Sequence, residues 1–358
     1  MARKPDRSLH QVNLHKGRKE MEFYIAEVWL ALIGLLLLAY AVADGAGIGV
    51  GIISLLCRRD DEKDVLAATI SGVWHDNQTW LVLVGGTLLG AFPLVFNVVL
   101  SALYVPIIAM LFGLIFRGVS LEFRGNSTNR RFWDMAFGLG SLLMALSQGF
   151  ALGGLIGGIP VSQGKFSGSM FEWFTPYSIV VSAGVVCGYV MLGAGFIILK
   201  TEGAIQEKGF RLAWTASVIT LLISFAVHVW NLFLHPVLLE KLAVFPGGLP
   251  MIVLTGLAGI SFILYFRSVR LKQEIAPFLW NSAIVFFSFA GLSIGFYPNM
   301  IPNLTSPVTV SAAAGLDATL LFMVSVVLIM LPSILVYTFY KQRVFSGKVD
   351  GAAADYPG

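Results

Sequence analysis

The sequence carries few charges and almost no cysteine. Of its 358 residues only 12% are Asp, Glu, Lys or Arg, whereas 57% are hydrophobic and the mean hydropathy is +0.81. A soluble domain has about 25% charged residues, and water could not solvate this much apolar surface. The two cysteines, Cys57 and Cys187, fit neither a disulfide framework nor a metal site. The composition therefore predicts an all-α integral membrane protein.

Apolar runs of about 20 residues, each long enough to cross a bilayer, recur along the chain. They predict about nine transmembrane helices, at 22–56, 65–90, 92–116, 133–157, 176–199, 211–234, 247–266, 277–296 and 314–340. We interpret 22–341 as a single polytopic membrane domain and 342–358 as a cytoplasmic C-terminal tail. Residues 1–21 are basic and polar, and two interpretations stay open: a tail on the membrane surface, or an over-extended start with the true start at Met21.

Lysine and arginine predict the orientation, because cytoplasmic loops are enriched in both. The even-numbered loops contain only two basic residues, Lys165 and Lys241. We therefore expect the odd loops and the C-terminus in the cytoplasm, the N-terminus outside, and no nucleic-acid partner for the basic residues. The basic residues of the odd loops and C-terminal end are Arg58, Arg59, Lys63, Arg117, Arg124, Arg130, Arg131, Lys200, Lys208, Arg211, Arg267, Arg270, Lys272, Lys341, Arg343 and Lys348.

Polar residues at membrane depth concentrate in the first two predicted spans. Ionisable groups are costly in hydrocarbon and usually functional there. Asp44 precedes the first loop, and His75, Asp76 and Gln78 follow it at a similar distance, so an antiparallel pair would bring them to one level. Asp76 points about 100° away from His75. We predict a proton route from these four residues. A structural Asp44 and a neutral His75 bonded to a carbonyl remain alternatives.

Other polar and aromatic residues predict contacts within the chain or with a partner. Trp74, Asn77 and Trp80 flank the polar cluster, and Glu122 and Arg124 lie near the third loop, where a solvated salt bridge with Asp134 is expected. His228 and His235 are seven residues apart, too weak a pattern for haem or metal ligation. We predict no metal site and no catalytic residue in this chain.

Seven segments in order resemble subunit II of the cytochrome bd-type quinol oxidases, more closely the cyanide-insensitive branch. The similarity extends from about Met21 to Val349. The segments are AVADGAGIGVG (41–51), GVWHDNQTWLVLVGG (72–86), FGLIFRGVSLEFR (112–124), SQGFALGGLIGGIPV (147–161), LKTEG (199–203), YPNMIP (297–302) and YTFYKQRVFSGKV (337–349).

The resemblance implies a heterodimer with a haem-bearing subunit I in the bacterial inner membrane. That partner would hold haem b and haem d, or haem b alone, and would oxidise quinol. Subunit II would form two four-helix bundles plus a peripheral helix, ligate no haem, stabilise its partner, hold a quinone in some relatives, and contribute to a cytoplasmic proton route. The complex would reduce oxygen to water with charge separation but without pumping.

Two departures from the family pattern bear on that route. Relatives usually read DGFDLG after the first span, but here Gly47 replaces the second acid. Relatives also place an acid directly after the first Trp of the second motif, where this chain has His75 and then Asp76. The missing acid leaves open a degenerate paralogue that assembles without the route. A stand-alone transporter or channel is a separate alternative.

Overall fold

A computed structural model describes residues 7–302, 307–344 and 347–349, with the side chains of 7–24, 317 and 342 excepted. Helices dominate, and the four strands are short. The helices are α1 (Arg7–Ser54), α2 (Asp60–Ser71), α3 (Trp74–Ala91), α4 (Pro93–Ala102), α5 (Tyr104–Phe123), α6 (Arg130–Gly157), α7 (Pro176–Lys200), α8 (Gly203–Leu234), α9 (Pro236–Ala243), α10 (Leu249–Arg270), α11 (Ala276–Phe296), α12 (Val310–Ala313) and α13 (Asp317–Val344). Strands β1 (Val161–Ser162) and β2 (Lys165–Phe166) pair antiparallel, as do β3 (Asn299–Ile301) and β4 (Val308–Thr309).

Eight helices of the described part are long and apolar enough to cross a membrane, which confirms the predicted class and makes the expected count of nine approximate. They are the Ile25–Ser54 part of α1 together with α5, α6, α7, α8, α10, α11 and the Ala318–Lys341 part of α13. Helix α3 packs along α1 and is not among these eight. Its first two turns are mostly polar, which makes it less apolar than they are. Helices α1, α3, α5 and α6 form one bundle, α7, α8, α10 and α11 a second, and α13 lies peripherally against α3 and α1.

Two of the predicted spans have the wrong boundaries. The span 65–90 is broken at Gly72 and Val73 into α2 and α3, and the span 92–116 is broken at Leu103 into α4 and α5. Helix α2 begins with three acidic residues, which favour a helix N-terminus, and lies beside the end of α1. The second crossing therefore starts at Trp74, so the polar cluster occupies the first turns of α3.

The glycines after Asp44 allow neighbouring helices to approach α1 closely, as their spacing predicts. A Cβ on Gly49 would lie 1.8 Å from the carbonyl oxygen of Tyr189 in α7. A Cβ on Gly51 would lie 2.1 Å from the Ser141 hydroxyl in α6. Helix α1 is therefore held between α6 and α7 by backbone contact, and this fixes the position of Asp44.

Candidate functional site

An ion pair between Asp44 and Arg117 lies in the interior of the first bundle. Asp44 is 0% exposed and Arg117 is 1% exposed, and Arg117 Nη1 donates to Asp44 Oδ1 at 2.7 Å. The expectation that Arg117 belongs to a loop is wrong, because it lies within α5 and points to α1. A charge removed from water needs a close partner, and each of these two residues supplies it for the other.

Neutral polar side chains extend the ion pair towards α6 and α7. Gln78 Nε2 donates to Asp44 Oδ2 at 3.2 Å, so Asp44 and the polar turn of α3 share one level, as predicted. The Tyr40 hydroxyl interacts with the Asp44 carboxylate and accepts from Gln148 Nε2 at 2.8 Å. The Tyr189 hydroxyl donates to Gln148 Oε1. We refer to Asp44, Arg117, Gln78, Tyr40, Gln148 and Tyr189 as the Asp44 cluster.

The guanidinium of Arg117 occupies the space that a side chain at position 47 would need. A Cβ on Gly47 would lie 2.5 Å from Arg117 Nη2. Among the residues that the structure describes, that atom and Arg117 Nε are buried without a hydrogen-bond partner, and so is Gln78 Oε1. Because position 47 is a glycine and not a second acid, Arg117 pairs with one carboxylate, that of Asp44, and some of its N–H donors have no acceptor among the described residues.

The other two residues predicted for the proton route, His75 and Asp76, do not contact Asp44. The His75 ring stacks on Trp74 with its centroid 3.6 Å away, and His75 Nε2 lies 3.4 Å from Glu122 Oε1 at the surface of α3 and α5. Asp76 Oδ2 lies 2.7 Å from Lys341 Nζ, which attaches α13 to α3. Of the four residues, the structure brings together only Asp44 and Gln78.

Trp74, Asn77 and Trp80 are buried and attach α3 to its neighbours. Asn77 Nδ2 donates to the carbonyl oxygen of Ala43 at 3.0 Å. Trp74 packs on Gly118, where a Cβ would lie 2.8 Å from the indole, and Trp80 packs among apolar residues of α1. All three therefore make contacts within this chain.

A second charged network joins the loops at one end of the bundle. Arg124 is 8% exposed and contacts Asp134 Oδ1 and Asp64 Oδ1, each at 2.5 Å, while Lys63 Nζ lies 3.2 Å from Asp134 Oδ2. The expected solvated salt bridge is therefore buried. Burial lowers the pKa of Arg124, but hydrogen bonds to Asp134 and Asp64 raise it above its ordinary value overall.

The remaining histidines of the second bundle do not fit a haem. His235 Nε2 lies 2.7 Å from the Ile156 carbonyl oxygen, and His228 Nδ1 lies 2.7 Å from the carbonyl oxygen of Ser224 in its own helix. Within the described residues no group of three His, Cys, Asp or Glu could hold a metal ion. Each of these two imidazoles therefore interacts with a backbone carbonyl of the second bundle or its neighbour.

Sequence reasoning missed four members of the Asp44 cluster: Arg117, Tyr40, Gln148 and Tyr189. Each comes from a different segment of the chain, and Arg117 is 73 positions from Asp44. The arginine stands near the end of an apolar run, which resembles a loop charge. A signal was nonetheless present, since a buried acid in hydrocarbon requires a cationic partner and Arg117 has apolar residues on both sides.

The fold and the cluster define a class: polytopic α-helical membrane proteins with a charged group enclosed in the first bundle. The family model for cytochrome bd terminal oxidase subunit II matches residues 25–345, and this chain belongs to that family. This confirms the resemblance seen in the sequence.

Individual relatives agree with the family assignment. The chain is 26% identical to cytochrome bd-I ubiquinol oxidase subunit 2 of Escherichia coli K12, over 90% of this chain and 94% of that one. It is 25% identical to cytochrome bd ubiquinol oxidase subunit 2 of Bacillus subtilis 168, over 90% and 96%. A bd oxidase structure from Geobacillus thermodenitrificans has the same fold, with a TM-score of 0.75 at 18% identity, over 90% and 98% of the two chains.

Proposed function

We propose that this chain is the accessory subunit of a bacterial quinol:oxygen oxidoreductase and forms a heterodimer with a haem-bearing subunit I. Its family membership supports the complex, and its relatives in E. coli and B. subtilis are named as subunits of ubiquinol oxidases. Haem b and haem d, or haem b alone, belong in this proposal to the partner, as does quinol oxidation. A quinone bound to this chain stays a prediction. The same assignment argues against a stand-alone transporter or channel.

The odd loops and the C-terminus face the cytoplasm in this proposal. Ion pairs connect these segments at one end of the molecule. Lys208 Nζ near the start of α8 lies 2.9 Å from Glu62 Oε2 near the start of α2. Lys348 Nζ contacts Glu202 and Glu274 at 3.2 and 2.9 Å. Positive residues gather on the cytoplasmic side of membrane proteins, so the basic end of this chain supports that orientation and an external N-terminus.

The Asp44 cluster carries our proposal for a proton route. Oxygen reduction consumes protons, and in this complex they would come from the cytoplasm, separating charge without pumping. Asp44 can bind and release a proton, and the hydroxyls of Tyr40 and Tyr189, bridged by Gln148, extend the hydrogen-bonded chain across α1, α6 and α7. Because His75 and Asp76 face away, we propose that the route uses Asp44 and Gln78 without them.

Arg117 favours a second candidate, in which the subunit supports assembly but conducts no protons. A guanidinium 2.7 Å from a buried carboxylate compensates its charge, and such a pair can serve as a purely structural contact. In that case the cluster would only hold α1, α3 and α5 together, and the route would lie wholly in the partner.

A double substitution separates the two candidates. Asp44→Asn with Arg117→Gln removes both charges and the titratable group while keeping polar side chains of similar size. If Asp44 conducts protons, quinol-dependent oxygen uptake of the purified complex should fall about tenfold or more, with its haem-to-protein ratio unchanged. Unchanged uptake would favour the assembly role, and joint loss of haem and uptake would indicate that the pair is structural.

Asp76→Asn provides the matched control, since Asp76 is an acid in the same turn of α3 as Gln78 but pairs with Lys341 and not with Arg117. We expect its oxygen uptake to stay at the wild-type level. If the tagged chain purifies without a haem-bearing partner and without quinol-dependent oxygen uptake, the proposed function itself is wrong.

A further inference from the structure

Three arginines at one end of the second bundle lie exposed. They are Arg211 of α8 and Arg267 and Arg270 of α10. Within the residues that the structure describes, none of the three forms an ion pair. Glu207, one turn before Arg211, already pairs with Lys272 at 2.9 Å. The three guanidinium groups therefore carry positive charge that their neighbours leave uncompensated.

An aromatic contact brings the arginines of the two helices to one level. The rings of Trp214 in α8 and Phe266 in α10 meet edge to face, with their centroids 5.2 Å apart. Because α8 and α10 are successive long crossings, they run in opposite directions. Arg211 precedes Trp214 by three positions and Arg270 follows Phe266 by four, so each arginine lies about one helical turn from its aromatic neighbour on the same face. Both guanidinium groups therefore lie at the basic end of this contact.

Exposed apolar side chains continue from Arg211 along α8. Trp214, Val218, Leu221 and Phe225 follow it at intervals of three, four, three and four residues, which places all five on one stripe of the helix. From Arg211 to Phe225 the stripe is about 21 Å long, at about 1.5 Å per residue. One leaflet of a bilayer has roughly 15 Å of hydrocarbon. A stripe of this length can therefore cross one leaflet with its arginine at the level of the lipid headgroups.

A matching stripe lies on α10. Ile260, Ile263, Arg267 and Arg270 are all exposed and follow each other at intervals of three, four and three residues. Helix α10 therefore has the same order as α8, with arginine at the basic end and apolar side chains further into the membrane. Because the aromatic contact joins the two helices next to the arginines, the two stripes border one another there. We refer to the two stripes together as the α8–α10 surface.

Arginines of the first bundle and its loops provide an internal comparison. Arg124 contacts both Asp64 and Asp134. Arg59 pairs with Asp61. The chain thus supplies its own anions to these two arginines, whereas the arginines of the α8–α10 surface face only what surrounds the protein.

We propose that the α8–α10 surface binds an anionic phospholipid. Its phosphate accepts hydrogen bonds from Arg211, Arg267 and Arg270, and its acyl chains lie along the apolar stripes. Charge complementarity selects this occupant, since basic pockets between membrane helices bind anionic headgroups and a guanidinium can donate two parallel N–H groups to a phosphate. A zwitterionic lipid would leave the net positive charge uncompensated. Because the inference uses only this chain and the lipid around it, it does not depend on the proposed function.

Photo-labelling with lipid tests the site directly. The purified complex is reconstituted in phosphatidylcholine nanodiscs that contain a minor fraction of a probe, either phosphatidylglycerol or phosphatidylcholine with a diazirine in its acyl chain. After irradiation, adducts on residues 214–225 are quantified by mass spectrometry. We expect the phosphatidylglycerol probe to label this segment at least about fivefold more than the phosphatidylcholine probe, since each basic residue near an anionic lipid typically contributes about that factor in affinity. Equal labelling by the two probes, or no labelling because a protein covers the surface, would overturn the inference.

Two variants of equal charge separate a built site from general electrostatic attraction. Arg211→Gln with Arg270→Gln should lower the ratio of phosphatidylglycerol to phosphatidylcholine labelling at least about threefold. Labelling by the phosphatidylcholine probe should stay at the wild-type level, which reports that the surface is still folded. Arg58→Gln with Arg59→Gln makes the same change in charge at exposed residues of the first loop and should leave the ratio unchanged. An unchanged ratio in the first variant, or an equal fall in both, would contradict the assigned site.

Discussion

Two pairs of ionisable side chains, one beside α3 and one partly on it, differ almost completely in exposure. The Asp44–Arg117 pair is enclosed by this chain, at 0% and 1% exposure, whereas His75 and Glu122 are 65% and 58% exposed. The first pair is complete within this chain, and the second has one side open. The difference indicates that the first pair belongs to the interior of this chain, whereas the second lies at its surface.

Breaking the inner pair should have the largest effect. Arg117→Leu leaves the Asp44 carboxylate buried without its cation, which typically costs about 3–5 kcal/mol. We expect the detergent-purified complex to unfold at a clearly lower temperature and denaturant concentration. The double variant Asp44→Leu with Arg117→Leu removes both charges and should recover most of this loss. Equal destabilisation in the single and double variants would show that the charge pairing is not what matters.

The sequence predicted the class of fold because apolar runs of membrane length are hard to mistake. It also predicted that Asp44 and the start of the second crossing share a level, since an antiparallel helix pair leaves little choice. The break at Gly72 and Val73 was missed, because no proline marks it and the apolar residues of α2 continue the run. These residues pack against the end of α1 and against α7, a contact that hydropathy cannot reveal.

The partners of Asp44 could be predicted only in part. Gln78 follows from helical geometry once α1 and α3 are paired. Arg117 requires knowledge that α5 packs behind them with its side chain directed into the space left by Gly47. The exposure of His75 could not be predicted from the sequence either, because the face that α3 turns outward depends on which of its tryptophans are buried.

A substitution at the inner face of α1 sharpens the comparison further. Gly49→Ala would place a Cβ 1.8 Å from the Tyr189 carbonyl oxygen, so α1 and α7 must separate. We expect a loss of about 1–3 kcal/mol in unfolding free energy, measured by chemical denaturation of the purified complex. Gly85→Ala in α3 is the control, since a Cβ there meets nothing within 4 Å and alanine favours helix. A similar loss in both variants would argue against close packing at Gly49.

The outer pair should contribute least to the stability of this chain by itself. Even a fully charged pair at an exposed position typically contributes only about 0–1 kcal/mol, so His75→Gln and Glu122→Gln should each change the unfolding free energy of the detergent-purified, separated subunit by less than about 1 kcal/mol. A double-mutant cycle measured on the subunit alone should give a coupling near zero. A coupling well above about 1 kcal/mol would mean that the pair belongs to the fold of this chain, like Asp44 and Arg117.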